Sequence, residues 1–164
     1  MDNIPVQPGT YALIIRINDT FRLEVGKLGF FVIHPGIYIY LGSAHGSGGL
    51  RGRLKHHFRR GIRPHWHIDY LRTVGSIQAY ALIESTIRES DYIPLECQWA
   101  QFLSRQPGSH IPIPKFGAGD CSSGCHSHLI KFPFIDCSDY LKNFIQQLDK
   151  KMGITQKSYQ YSGC

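Results

Sequence analysis

Arg53 and His57 lie four residues apart in "GGLRGRLKHHF" (48–58), so a helix there sets a guanidinium and an imidazole on one side. A guanidinium can clamp a phosphate through paired N–H donors. An imidazole with a reference pKa near 6.5 exchanges protons at neutral pH. Arg51, Lys55 and Arg59 fall on the other flank and, with Arg60, suit contacts to a polyanion backbone that position without reading sequence. Tyrosines punctuate the apolar stretches "GTYALIIRI" (9–17) and "IYIYLG" (37–42). A phenol with a reference pKa near 10 is a poor base at neutral pH, and a neighbouring cation such as Arg53 would stabilise the phenolate. Glu96, in "PLECQWA" (94–100), occupies a first helical turn, where the helix dipole favours a carboxylate. Hydrolysis at phosphorus needs an activated water, neutralised phosphoryl oxygens and help for the leaving oxygen, which this set of side-chain types can divide among themselves.

Two further groups could hold a metal. "HWHIDYL" (65–71) gathers His65, His67 and Asp69, but one short segment supplies few ligands. It is expected to pack through Trp66, Ile68 and Leu71 while one histidine, His67, faces the cleft as an auxiliary residue. Cys97, Cys121, Cys125 and His128 offer the four donors that tetrahedral zinc takes, although their spacing is irregular and no Cys-x-x-Cys pair exists. The alternative is a loop returning across the site, with thiols packed as small apolar groups and Asp120, Ser127 and His128 as polar groups of the cleft.

The elements that must position these residues follow from periodicity. Residues 10–17 read as a strand buried on both faces, and 21–33 as two short strands separated by Gly26. Residues 37–41 form another strand, with Tyr38, Tyr40 and Gly42 on one face. A loop over 42–49 leads into a helix at 50–60, whose apolar stripe is Leu50, Leu54 and Phe58. A strand at 76–84, a helix at 94–104 with Leu95, Trp99, Phe102 and Leu103 buried, a loop at 106–127, and a short strand in "SHLIKF" complete the core. An amphipathic helix at 138–152 and a frayed polar tail end the chain. The sum is an α+β fold, a small mixed or antiparallel sheet flanked by helices, in one domain over 1–164. Its core spans about 8–131, with the C-terminal helix and tail over 132–164.

Composition limits the partners. The 164 residues carry a formal net charge of +6 and a pI near 9.1, which favours a polyanion. Neither a signal peptide nor an apolar run long enough to cross a bilayer is evident. The five cysteines, odd in number and unevenly spread, read as reduced thiols or metal ligands of a cytoplasmic protein.

A strand ending Tyr40-Leu41-Gly42, then a loop, then a helix carrying Leu-x-x-Arg-x-x-x-His-Phe resembles the GIY-YIG nuclease superfamily. The literal Gly36-Ile37-Tyr38 is a decoy, because it shares a strand with Tyr40 and cannot pair with it across a hairpin. Gly9-Thr10-Tyr11 is the better first half. About thirty residues then separate the two tyrosines, and "RLEVGKLGFFVIHP" would fill the excess as an inserted hairpin. "GTYAL", "VGKLG", "YIYLGSA", "GGLRGRLKHHF", "HWHIDYL", "LECQWA" and "DCSSGCHSHL" resemble the small-domain branch, found alone or fused to endonuclease III-type glycosylases, over about residues 8 to 131.

The resemblance implies a metal-dependent DNA endonuclease acting in repair of damaged or abasic DNA alongside repair proteins. Its catalytic residues would be Tyr11, Tyr40, Arg53, His57 and Glu96, with Glu96 holding Mg²⁺ or Mn²⁺. Tyr11 or His57 would activate the water, a choice left open. Two departures stand out: no asparagine is suitably placed beyond Glu96, and Ser43 stands where a lysine often follows Tyr-Ile-Gly. They leave room for altered substrate preference, for "DCSSGCHSHL" taking over those roles, or for lost catalysis. A non-catalytic nucleic-acid-binding module and a zinc-stabilised interaction domain are the competing expectations.

Overall fold

Apolar side chains on alternate positions of three long strands give a sheet that must be covered on both faces. The structure, a computed structural model, describes residues 4–59, 61, 63–84 and 93–133 and the backbone of 158–161. Strand β1 (Gly9–Ile17) lies between β4 (Gly36–Ala44) and β5 (Ser76–Glu84). With β6 (Leu129–Phe132) beside β4 and β7 (Ser158–Tyr161) beside β5, the order is β6-β4-β1-β5-β7, and every pair is antiparallel. Strands β2 (Phe21–Glu24) and β3 (Phe30–Ile33), joined through a 3-10 turn at Gly26–Leu28, make the separate hairpin expected between β1 and β4.

Two apolar layers result. Tyr11, Leu13, Ile15 and Ile17 of β1 and Tyr38 and Tyr40 of β4 pack with α1 (Gly49–Phe58) and α2 (His67–Leu71). Ala12, Ile14, Ile37, Ile39 and Leu41 face the other way, onto Cys97, Trp99, Ala100 and Leu103 of α3 (Leu95–Ser104). Each buried Leu or Ile contributes roughly 1.5–3 kcal/mol, so these layers hold the sheet while Cys97, Cys121 and Cys125 remain free thiols. The fold is α+β, and its sheet is antiparallel, not mixed.

Several boundaries differ from the sequence reading. Strand β4 continues through Gly42 to Ala44, where a loop was expected, because Thr10 and Gly9 of β1 pair with Ser43 and Ala44. Gly42 sits opposite Tyr11, and the phenol fills the space a side chain would take: a Cβ there would lie 2.6 Å from the Tyr11 hydroxyl. Gly42→Ala is therefore expected to cost about 1–3 kcal/mol, lowering the thermal midpoint by roughly 2–4 °C per kcal/mol in a domain this size. An unchanged melt would contradict that packing.

Helix α1 stops at Phe58 and buries His57 along with Leu50 and Leu54, leaving Phe58 only partly covered. Its N-terminus has no side-chain cap. Instead the Leu50 and Arg51 N–H groups donate to the Gln7 and Pro5 carbonyls, at 3.0 and 2.9 Å. On α3, Cys97 and Ala100 are buried where Leu95 and Phe102, expected in the stripe, are half-buried. Residues 158–161, expected to fray, add an edge strand to β5. The helix expected at 138–152 and the side chain of Arg60 lie outside the described residues. No helix among the described residues is long and apolar enough to cross a membrane.

Candidate functional site

Register places Tyr11 and Tyr40 on the same face of neighbouring strands, with ring centroids 6.3 Å apart. Helix α1 crosses that face and inserts His57, and the Tyr11 hydroxyl meets His57 Nε2 at 2.8 Å. Behind His57, its Nδ1 lies 3.3 Å from Asp69 Oδ1 on α2. The carboxylate there accepts the Nδ1 proton, which leaves Nε2 to accept from the Tyr11 O–H. Asp69 also takes the backbone N–H groups of His65 and Trp66, both at 3.0 Å, and pairs with His56 Nε2 at 3.1 Å. Tyr11, His57 and Asp69 thus form one buried hydrogen-bonded chain.

Burial governs the electrostatics of this chain. It opposes the charge on Asp69, but the hydrogen bonds from His57, the Trp66 and His65 backbone and His56 overcome it and hold the carboxyl well below the usual range. Burial also lowers His57, and Asp69 offsets only part of that, so the ring is neutral at neutral pH. Tyr11 is raised well above 10 and Tyr40 to about 12, again chiefly by burial. Arg53 pulls both phenols down, as expected of a nearby cation, but less than burial pushes them up. At about 12, roughly one Tyr40 in 10⁵ is ionised at neutral pH, so neither tyrosine is a resting phenolate.

In front of the chain lies an open cleft of about 570 Å³, lined among others by Tyr40, Ser43, Arg53, His67, Glu96 and Asp120. Residues from both faces of the sheet meet there. Tyr40 is 7 % exposed, whereas Tyr11 and His57 are fully covered and do not line it. The Arg53 guanidinium lies over the Trp66 ring, 4.1 Å from its centroid, which fixes the fork beside the cleft. Glu96 projects from the first turn of α3, and its Oε2 is 3.5 Å from the Thr10 hydroxyl. Among the described residues neither Glu96 nor Asp120 makes an ion pair, so both carboxylates are available to a hard cation. His67 Nδ1 accepts the Gly117 N–H at 2.9 Å, so in the neutral ring Nε2 carries the proton.

The structure thus brings Tyr40, Arg53, Glu96, His67 and His128 to one cleft, with Tyr11 and His57 behind it. Tyr38, the tyrosine of the literal Gly-Ile-Tyr, lies elsewhere and donates to the His34 carbonyl at 2.6 Å. Ser127, expected as a cleft group, is buried and accepts the Leu129 N–H at 3.0 Å. Arg51, Lys55 and Arg59 are exposed, with Arg51 Nε donating to the Ile4 carbonyl. In the sequence Asp69 stands out only as a neighbour of His65 and His67; its partners on α1 are twelve and thirteen residues away, and no local spacing announces them. Cys97, Cys121, Cys125 and His128 form a cluster that could hold a metal. Burial is the main cause pushing the Cys97 and Cys125 thiols up and the His128 imidazole down.

A family model described as Domain of unknown function DUF123 matches residues 10–151. No curated protein and no solved structure matches the chain.

Proposed function

The chain belongs to the DUF123 family, and we propose that it is a metal-dependent DNA endonuclease that hydrolyses phosphodiester bonds. The observation that carries this reading is the convergence of Tyr40, Arg53 and Glu96, from β4, α1 and α3, on one cleft backed by the Tyr11–His57–Asp69 chain. In this reading Arg53 clamps the phosphate with its fork, and His67 donates Nε2–H to a phosphoryl oxygen. Water attacks phosphorus as the bond to the leaving oxygen breaks. The water's proton passes to Tyr40, the Tyr40 proton to Tyr11, and the Tyr11 proton to His57 Nε2, where Asp69 stabilises the resulting imidazolium. The two rings are neighbours on adjacent strands, with centroids 6.3 Å apart, and the Tyr11 hydroxyl already meets His57 Nε2 at 2.8 Å, which supports that route. His57 is then the final proton acceptor and Tyr11 the conduit.

Glu96, helped by Asp120, would hold Mg²⁺ or Mn²⁺; one or two carboxylates plus waters and substrate phosphate are what such an ion accepts. When bound, the ion supplies charge neutralisation at the leaving oxygen. Arg51, Lys55 and Arg59, with Arg60, would hold the DNA backbone away from the cut. A cytoplasmic role in repair of damaged or abasic DNA, beside other repair proteins, fits this proposal.

A second reading, a non-catalytic nucleic-acid-binding module, draws on the complete burial of Tyr11 and His57. Flap, nicked, uracil-containing, abasic and single-stranded DNA, each incubated with Mg²⁺ and with chelator, separate the two. Cleavage of at least one substrate with Mg²⁺ and none with chelator is expected; binding without cleavage of any supports the module instead. In either case affinity should fall steeply with salt. Replacing Lys55 or Arg59 by alanine should reduce the slope of log K against log salt by about one each.

A further inference from the structure

Residues 105–128, between α3 and β6, contain no helix and no regular strand; the one isolated bridge is His110 to Lys131. A loop of that length inside a packed domain is uncommon unless something ties it down. It also forms one wall of the cleft: Phe116 packs edge-on to Tyr40, with centroids 5.9 Å apart, and the Gly117 N–H holds His67. At its base, the donor atoms of Cys97, Cys121, Cys125 and His128 all lie within 4.8 Å of one another. Cys97 Sγ is 3.4 Å from Cys121 Sγ and 3.5 Å from His128 Nε2.

We infer that these four residues bind one zinc ion, which clamps the loop to α3. Zinc takes sulfur at about 2.3 Å and imidazole nitrogen at about 2.0 Å, so a tetrahedral site has edges of roughly 3.5–3.8 Å, close to the two separations found. Packing of thiols as apolar groups would not require an imidazole nitrogen aimed at sulfur. A disulfide between Cys97 and Cys121 would leave a third thiol and the ring unused. Four protein donors leave no open position, so the ion is structural, not catalytic. Its ligands come from two separate places: the first turn of α3 and the loop, whose last residue, His128, directly precedes β6. Closing a long loop is where such a clip stabilises most. The clamp also sets the cleft, because Glu96 adjoins Cys97 and Asp120 adjoins Cys121, and both carboxylates line it.

The test needs no nucleic acid and so stands apart from the nuclease reading. Protein expressed with added zinc and purified under reducing, chelator-free conditions is expected to contain one zinc per chain. Replacement by Co²⁺ should give intense visible bands and thiolate-to-cobalt charge transfer, which an oxygen-ligated ion in the cleft cannot produce. Cys125→Ser, outside the cleft lining, should weaken zinc by more than the ~10–100-fold that loss of an outer-shell partner costs, and should speed hydrogen exchange over 115–128. If that variant does not fold, chelator titration of the wild-type chain decides, with zinc release expected to unfasten the same segment. Wild-type protein with no zinc and no thiolate–cobalt band, or with a Cys97–Cys121 disulfide in its place, overturns the inference. DNA cleavage without zinc would leave the nuclease reading standing and remove this one; zinc without cleavage would do the reverse.

Discussion

Glu96→Gln is expected to reduce Mg²⁺-dependent cleavage by at least on the order of 10²–10³-fold while leaving DNA affinity within a few-fold. The substitution keeps the size of the side chain and an oxygen able to accept from Thr10, which lies 3.5 Å from Glu96 Oε2. What it removes is one negative charge in the cleft. A neutral amide is a far weaker ligand for a hard cation, whereas backbone contacts to DNA depend on the exposed cations of α1. Single-turnover cleavage across a Mg²⁺ titration, paired with binding in chelator, reads the two effects separately. Full activity at ordinary Mg²⁺ would remove Glu96 from the mechanism. Equal losses of binding and cleavage would point to a distorted fold, which a thermal melt checks.

The parts of this site that could be read in the sequence are those fixed by short-range periodicity. The apolar, β-branched run over 10–17 and the strand read at 76–84 placed β1 and β5 to within a residue, and the four-residue step from Arg53 to His57 put both on α1. Steric logic along one strand sufficed to set Tyr38 aside, and its hydroxyl indeed ties to His34 away from the cleft. The gathering of Cys97, Cys121, Cys125 and His128 was visible only as a set of ligand types; their convergence depends on how a long loop returns, which no repeat encodes. Burial at the end of the sheet was not legible either. Strand alternation says that Tyr11 faces inward, but only the crossing of α1 covers it completely, and that coverage raises the phenol a nearby cation was expected to lower. Gly42 read as the start of a loop because glycine weakens strands in general; here the Tyr11 ring occupies the place of its side chain.

The least legible residue carries the second large effect. Asp69→Asn is expected to lower the maximal cleavage rate by on the order of 10²–10⁴-fold, the range a positioned general base supplies. The carboxylate fixes the His57 tautomer by accepting from Nδ1 at 3.3 Å; an amide can present its N–H₂ there and turn the ring's acceptor away from Tyr11. The pH profile distinguishes this from simple misfolding. His57 works when neutral and sits below 6.5, so the acid limb of the wild-type profile should have its midpoint below 6.5. Asp69 raises His57, so its removal moves that limb to still lower pH while the plateau drops. Stability follows the opposite partner. The folded Asp69 carboxyl is held far below its unfolded value near 3.9, so its contribution is complete above that pH and is lost as pH falls below it. The gap in unfolding free energy between wild type and Asp69→Asn should accordingly be constant above about pH 7, where His57 is neutral in both proteins, and the Asp69 share of it should be lost once the solution is acidic enough to protonate the folded carboxyl. A variant that keeps the wild-type acid limb and plateau would show that the proton does not travel through His57.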